Sequence, residues 1–275
     1  MQPATRARLY RGLFRIQVWA VGVSAAVGLL LKAPAEKIPD WFAVGAALVR
    51  WFQSEAWWII PGCAVVLGVA RAGRTKLGEP WAWEGIQDIL GKIRAHVVKS
   101  DGPVHHHRVT LFKKVQWCWW PNSRPKVWWP WGSGNGPSSG WLISVARSDA
   151  TILNRVVFLA PDRQPDMAEG VAGQAWCLRR RSVWVSDLPA VTTQSPDADL
   201  EAYAAKTFIS KDRLKRDLAS KKTPGRAFWG IPIEVQGRLW GVIVIDSRQP
   251  DGLKKKLDAS TTNLIDVLSG LAKRA

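Results

Sequence analysis

The chain has 275 residues, a formal net charge of +17 and three cysteines. This length accommodates one ordinary domain and a further segment, and the positive charge is compatible with an acidic partner. The basic residues are dispersed, and the sequence contains no finger, helix-turn-helix or ribonucleoprotein signature, so we do not expect nucleic acid as the partner. The cysteines lie far apart, which excludes a disulfide framework and a zinc-finger spacing.

Two uncharged apolar segments, 16–31 and 56–70, lie in the first quarter of the chain. As a helix, the first spans roughly 24 Å, somewhat less than the ~30 Å hydrocarbon core of a bilayer. Trp57 and Trp58 begin the second segment, and basic residues flank the pair of segments on their outer sides, as is typical of membrane interfaces. We therefore predict a membrane anchor of two transmembrane helices over 1–76, with both outer ends in the cytoplasm.

The connection between these segments, residues 32–55, is close to neutral and contains aromatic and aliphatic residues that suit an interfacial helix. Two alternatives to the membrane hairpin remain open. The segments also fit a pair of buried core helices, or a signal peptide that ends at the small residues 33–35.

A single apolar stripe runs along residues 83–99, where Ile86, Ile89, Leu90, Ile93 and Val97 recur at intervals of three and four. This spacing predicts an amphipathic helix, and we assign 77–100 as a linker or signalling helix. Its apolar face either packs against a second copy of the chain or covers the sheet of its own domain.

A strand is predicted to begin at His105–His107 and to run through Val115. Three adjacent histidines alternate between the two faces of a strand, so they cannot all bind one metal ion, and we predict no metal site.

The next segment is a Trp-rich insert, 117–141, with seven tryptophans in 25 positions and turns rich in Pro and Gly. Arg124, Trp128 and Trp129 are the predicted partner contacts, because exposed rings beside a cation favour a protein or ligand surface. Alternatively, the rings cover the edge of the sheet.

Residues 141–147 and 155–160 have the composition of strands, although the second run also fits a helix. A clearer pattern follows at 228–247, where Ile231, Ile233 and Val235 alternate with other residues before Gln236-Gly237 turns the chain. The return run, 240–245, is apolar almost throughout, which indicates a strand buried on both faces in the middle of a sheet.

Two motifs together resemble the GAF domain. One is Glu169-Gly-Val-Ala-Gly-Gln-Ala175, followed by a Val-Trp-Val strand and an Asp-Leu-Pro turn at 183–189, and the other is the hairpin at 228–247. The resemblance covers about 101–275 and implies an α+β fold, in which a central antiparallel sheet is flanked by helices. It also implies a pocket for a small molecule, such as a cyclic nucleotide or a tetrapyrrole, between the sheet and a lid that includes 200–222.

By position in the resembling domain, five residues are predicted to bind the ligand: Trp176, Trp184, Arg226, Phe228 and Trp229. The resemblance implies that Gly170 and Gly173 open a short helix, where they are predicted to offer backbone amides to an anion. The sequence lacks the Asn-Lys-Phe-Asp-Glu set of cyclic-GMP binders and the Cys-His pair that holds a bilin. Cys118 and Cys177 do not match the reductases of this fold. The ligand, and any cofactor, therefore remains unidentified.

No catalytic motif is present in the sequence, so we expect a protein that is not an enzyme. We predict a sensor or signalling protein in a bacterial cytoplasmic membrane, with its C-terminal domain in the cytoplasm. It is expected to bind a small molecule, with a nucleotide as one candidate, or a partner protein, and to form an oligomer through its terminal helices. One alternative is a defence effector that disrupts the membrane when a nucleotide binds. A non-enzymatic scaffold that uses the Trp-rich insert is the other.

Overall fold

The computed structural model describes residues 3–32, 43–99, 106–116, 140–148, 156–162, 164–179 and 181–275. The chain divides into two compact units, residues 1–82 together with Ala275, and residues 83–274. The Trp-rich insert, apart from its last two residues, and His105 lie outside the described residues. The predicted end of the membrane anchor at residue 76 and the predicted end of the linker helix at residue 100 stay predictions.

The first unit is an antiparallel pair of long helices, α1 (Pro3–Lys32) and α2 (Ala43–Leu77). Near one end of the pair, the Gln53 side chain donates to the carbonyl of Leu30 at 3.2 Å. At the other end, the Arg74 guanidinium donates at 2.7 Å both to Gln17 Oε1 and to the Tyr10 hydroxyl. These contacts set the register of the hairpin that the sequence predicts.

Residues 43–55 are helical, as predicted, but they continue into the second apolar segment as one 35-residue helix instead of forming a helix confined to the connection. No residue with a strong helix-breaking effect separates the two stretches. Pro61 lies inside α2 without ending it. The rest of the predicted interfacial helix lies outside the described residues.

Most apolar side chains of this unit are exposed. Trp19 is 75 %, Leu29 72 % and Val44 73 % accessible, whereas Ala20 and Val27 are buried between the helices. Both helices are long and apolar enough to cross a membrane, by length and composition alone. At about 1.5 Å per residue, each also exceeds the ~30 Å hydrocarbon core, so only part of it is needed to span one.

The second unit contains a six-stranded, fully antiparallel sheet in the order β3-β2-β1-β6-β5-β4. The strands are β1 (His107–Val115), β2 (Trp141–Arg147), β3 (Val157–Leu159), β4 (Val183–Val185), β5 (Ala227–Val235) and β6 (Arg238–Ser247). The predicted α+β class is confirmed, and the apolar run on β6 does lie at the centre of the sheet.

The hairpin of β5 and β6 turns as its sequence predicts. Gln236 and Gly237 have φ values of 55° and 73°, the pair of positive angles that a two-residue turn needs to match the twist of its strands. An asparagine or glycine is more usual at the first position, and Gln236 adopts the left-handed conformation on a solvent-exposed turn.

Helices cover both faces of the sheet. The first face carries α4 (Gly170–Cys177), α5 (Asp197–Thr207) and α6 (Lys211–Ala219), and the second carries α3 (Pro80–Val97) and α7 (Ala259–Ala272). Ile86, Leu90 and Ile93 of α3 are fully buried, as the predicted apolar stripe requires. A Cβ on Gly85 would lie 2.9 Å from Leu271, so α3 and α7 are in direct contact.

Alternate residues of the central strands serve the two faces. Val242 and Val244 of β6 pack in a cluster with Val171 and Ala175 of α4, whereas Ile243 and Ile245 point the other way. α4 approaches closely because β5 has a glycine beneath it: a Cβ on Gly230 would lie 2.9 Å from that of Ala175.

Candidate functional site

A cavity of about 1390 Å³ lies between the sheet and the two helices α5 and α6, which form its lid together with the segment that returns to β5. Phe112 of β1, Phe228 of β5 and Val244 of β6 belong to its floor. Tyr203 and Leu214 belong to its roof. On β1 and β6 the lining residues stand two positions apart, because only alternate residues of these strands face the lid.

Polar groups on the floor interact across neighbouring strands. Arg108 and Asp246 are register partners on β1 and β6, and Arg108 Nε lies 2.8 Å from Asp246 Oδ1. Beside them, Arg147 Nε donates to the hydroxyl of Thr110 at 3.3 Å. The Arg108 and Asp246 side chains are only 30 % and 16 % exposed, so this ion pair is screened less than a surface pair.

Tyr203 fixes the lid from inside. Its hydroxyl donates to the Gly225 carbonyl at 2.7 Å, which joins α5 to the segment entering β5. Burial raises the pKa of the Tyr203 phenol well above its usual value, so the group stays a neutral donor. The Thr207 hydroxyl donates to the Tyr203 carbonyl, also at 2.7 Å, and closes the last turn of α5.

Arg213 of α6 makes three contacts beyond the lid. Its guanidinium lies 2.7 Å from the Glu169 carboxylate and donates to the Val157 carbonyl at 3.1 Å. It also lies 4.5 Å from the centre of the Phe158 ring, within the range of a cation–π interaction. Both side chains of the Arg213–Glu169 pair are 19 % exposed.

Basic residues outnumber acidic ones around the cavity by seven to four. The basic residues are Arg108, Arg147, Arg213, Arg216, Lys221, Lys222 and Arg248, and the acidic residues are Asp166, Glu169, Asp217 and Asp246. Arg248 Nε is buried and has no hydrogen-bond partner among the described residues. The lining is therefore electropositive.

Phe228 and Gly170 are the two predicted site residues that line this cavity. Gly170 has φ +72°, and a Cβ there would lie 2.7 Å from the Phe158 ring, so the backbone conformation and the space both require glycine. The Gly170 amide donates to the Phe208 carbonyl at 2.6 Å and the Gly173 amide to the Glu169 carbonyl at 3.3 Å. Neither amide is free for an anion in this conformation.

Trp184 and Trp229 lie on the opposite face of the sheet, where their rings pack edge to face at 5.1 Å. The structure does not bring them to the cavity, because Trp229 follows Phe228 directly and adjacent residues of a strand face opposite ways. Arg226 also lies elsewhere: its Nε donates to the Leu188 carbonyl at 3.0 Å and holds the start of β5 against the segment after β4.

Trp176 belongs to a separate cluster near the start of β2. Its indole donates to Asp162 at 3.0 Å, and Lys114 Nζ lies 4.7 Å from the ring centre and hydrogen-bonds the Ala160 carbonyl. Burial lowers the pKa of Lys114 and raises that of the neighbouring Cys177 thiol. The predicted contacts Arg124, Trp128 and Trp129 lie outside the described residues.

The sequence reasoning missed Arg108, Tyr203, Arg213 and Asp246. Asp246 carried a usable signal, since it is the first charge after the apolar run of β6 and therefore marks the strand end. The other three acquire meaning only from the register of distant strands and the placement of the lid. Among the described residues, no group of three or more His, Cys, Asp or Glu side chains is placed to hold a metal ion.

Comparison with known proteins gives a family. A GAF-domain family model matches residues 137–275. No curated protein matches the chain.

Solved structures similar to it include the chromophore-binding domain of an unusual bacteriophytochrome from R. palustris, at 12 % identity and a TM-score of 0.33. That similarity covers 70 % of this chain and 54 % of the other, so this chain spans about half of the bacteriophytochrome chain. A GAF domain from A. aeolicus in an inactive state is 15 % identical, with a TM-score of 0.26, and the similarity covers 70 % of this chain and 91 % of the other. Because the family model matches half of its residues, the chain belongs to the GAF domain family.

Proposed function

We propose that this protein is a membrane-anchored sensor whose GAF domain binds a small molecule in the cavity beneath α5 and α6. The cavity itself carries the proposal. It combines apolar and aromatic walls with a few fixed polar groups, the composition by which small-molecule sites achieve both affinity and orientation. Its volume of about 1390 Å³ accommodates a ligand of nucleotide size.

Binding is the activity that the hydroxyls beneath the lid support. The hydroxyls of Thr110, Thr207 and Tyr203 interact with Arg147 or with backbone carbonyls, so each is already engaged in positioning the walls. A nucleophile would instead need a neighbouring base to activate it.

The anchor is supported by the exposed apolar surface of α1 and α2. Isolated exposed apolar residues are normal in a soluble protein, but long contiguous stripes mark contact with lipid or another protein. Basic residues precede the apolar part of α1 and follow that of α2, which favours a cytoplasmic location for both outer ends. In the sequence, only Gly78 and Glu79 separate α2 from α3, so a helix that packs on the sensor sheet follows the anchor directly.

A thermal-shift screen of the full chain in detergent tests the sensor proposal. We expect one class among nucleotides and other metabolites to raise the melting temperature saturably, because a ligand that binds only the folded state stabilises it. Phe228→Ala should abolish the shift, whereas Trp184→Ala, an aromatic truncation on the other face of the sheet, should retain it. A screen without any saturable shift would refute small-molecule sensing and favour the scaffold.

Protease digestion of sealed membrane vesicles tests the anchor. Inverted vesicles should expose residues 83–274 to the protease, and right-side-out vesicles should protect them. Extraction of the protein by carbonate alone would contradict a membrane-spanning hairpin. Leakage of dye from ligand-treated vesicles would distinguish the effector from a sensor that leaves the bilayer intact.

A further inference from the structure

We propose that the ligand is an anion bearing a phosphate or carboxylate group, and that it replaces Glu169 as the partner of Arg213. This inference rests on the proposed function and adds to it both a ligand class and the residue pair that registers binding. Guanidinium groups bind carboxylate and phosphate oxygens with similar geometry, so an entering anion competes directly with a protein carboxylate for the same donors.

The charge of the cavity selects for an anion. Seven basic side chains line it against four acidic ones, and three of those four carboxylates are already paired with lining cations. The buried Nε of Arg248, which has no hydrogen-bond partner among the described residues, adds a donor whose desolvation an anionic oxygen would offset.

Among the three ion pairs of the lining, Arg213–Glu169 alone joins the lid to another element. Arg108–Asp246 lies within the sheet, at register partners of β1 and β6. Lys222–Asp217 lies within α6 and the segment that follows it. Arg213 instead connects α6 to the edge strand β3, through Val157 and Phe158, and to the residue that precedes α4. If a ligand replaces Glu169 as the partner of Arg213, the ion pair that connects α6 to the residue before α4 is therefore lost.

Glu169 can lose its contact with Arg213 without being left unpaired. It is the N-cap residue of α4, yet its side chain makes no capping hydrogen bond and turns to Arg213. Once released, the carboxylate lies beside the positive end of the helix, where a negative charge is stabilised. The exchange thus replaces one charge-assisted contact of Arg213 by another. The start of α4 then stabilises the Glu169 carboxylate, which is not left unpaired.

The test is calorimetric titration of the full chain in detergent with inorganic pyrophosphate. Wild-type protein should bind saturably, and Glu169→Gln should bind about fivefold to tenfold more tightly because the competing charge is gone. Arg213→Gln should lose binding. Glu201→Gln and Lys215→Gln are the matched controls, since they remove exposed charges of the α5–α6 ion pairs outside the cavity, and both should bind as wild type does.

Hydrogen exchange of α6 distinguishes an Arg213–Glu169 pair that the ligand breaks from a pair that has only a structural role. Glu169→Gln should accelerate exchange of α6 amides in the free protein and have no effect once pyrophosphate saturates the site, because Glu169 no longer contacts Arg213 there. A purely structural ion pair would give the same acceleration in both states.

Any one of four results overturns the inference. Pyrophosphate fails to bind wild-type protein and Glu169→Gln, or it still binds Arg213→Gln. Glu169→Gln binds no more tightly than wild type, or it accelerates exchange of α6 equally in the free and in the saturated protein. A neutral metabolite that raises the melting temperature, and loses this effect in Phe228→Ala, would in each case leave the sensor proposal intact.

Discussion

Ile243 and Val244 are neighbours on β6, yet they work in different environments. Ile243 lies on the face covered by α3 and α7 and is fully buried, whereas Val244 lines the cavity beneath the lid. The face covered by α3 and α7 is filled with Val109, Leu111, Ile231 and other aliphatic side chains, and the lid face combines rings with arginines and carboxylates. One set of strands thereby holds the fold with alternate residues and leaves the others available for a ligand.

The largest expected contrast is between Ile243→Ala and Val244→Ala. Ile243→Ala should lower the free energy of unfolding by about 3 kcal/mol, since it removes buried methyl groups and leaves a void. Val244→Ala should cost only about 1 kcal/mol, because it enlarges a cavity that already exists. Urea unfolding of the full chain in detergent, followed by tryptophan fluorescence, measures both. Equal losses would show that the lid face contributes as much to stability as the packed face.

Tyr203→Phe should loosen the lid face selectively. It removes the hydroxyl that donates to the Gly225 carbonyl and leaves that buried oxygen unsatisfied, a loss of about 1.5 kcal/mol. Hydrogen exchange should increase in α5 and in residues 220–226 and stay unchanged in α3 and α7. A uniform increase over both faces would contradict a local role for this contact.

His107 should make the packed face sensitive to pH. The side chain is buried, and neither ring nitrogen has a hydrogen-bond partner among the described residues. Burial, followed by the nearby His106, lowers the pKa of His107 below 6.5, although Asp246 acts in the opposite direction. Below pH 6.5 the unfolded chain therefore binds the proton more readily, and the stability of the folded state falls as the pH decreases towards the folded-state pKa.

The contribution of His107 is measured as the difference between wild type and His107→Leu in the slope of the free energy of unfolding against pH. Wild-type protein should lose up to about 1.4 kcal/mol per pH unit more than His107→Leu in that window, the limit for one proton. His96→Gln, at an exposed histidine of α3, is the control. Parallel pH profiles for wild type and His107→Leu would rule out this effect.

Asp197→Asn should have the smallest effect. Asp197 lies on the outer surface of the lid, and the pKa of its carboxyl is lowered by hydrogen bonds from Lys215 and Lys211. Exposed ion pairs contribute little to stability because water and salt screen them. We expect a urea midpoint that matches wild type. A clear loss would indicate that the exposed charges of α5 and α6 hold the lid closed.

The sequence predicted the hairpin of β5 and β6 because its signals are local: alternation, a turn glycine and an uncharged return strand. It also predicted α3 from its stripe, whereas α4 was expected from the resemblance of the motif at 169–175 to the GAF domain. It did not predict that α2 begins at Ala43, because apolar and amphipathic stretches join smoothly when no strong helix breaker stands between them.

The candidate site was predicted less completely, and strand parity explains part of this. Phe228 and Trp229 were both assigned to the pocket, yet consecutive residues of a strand cannot both face it. Arg213 could not be identified from its neighbours in the sequence, since its partners Val157 and Glu169 are more than 40 residues away and meet it only when the lid closes over β3.

The attachment of the Trp-rich insert has a consequence for how this domain can change. Val115 and Trp141 are register partners, so the chain leaves the sheet after Val115 and re-enters it at Trp141, at adjacent points. The closure entropy of a flexible 25-residue connection between two such points differs from that of a two-residue turn by only about 2 kcal/mol. Because the sheet itself holds the two ends side by side, the length of the chain between them has little influence on whether the β1–β2 pair closes.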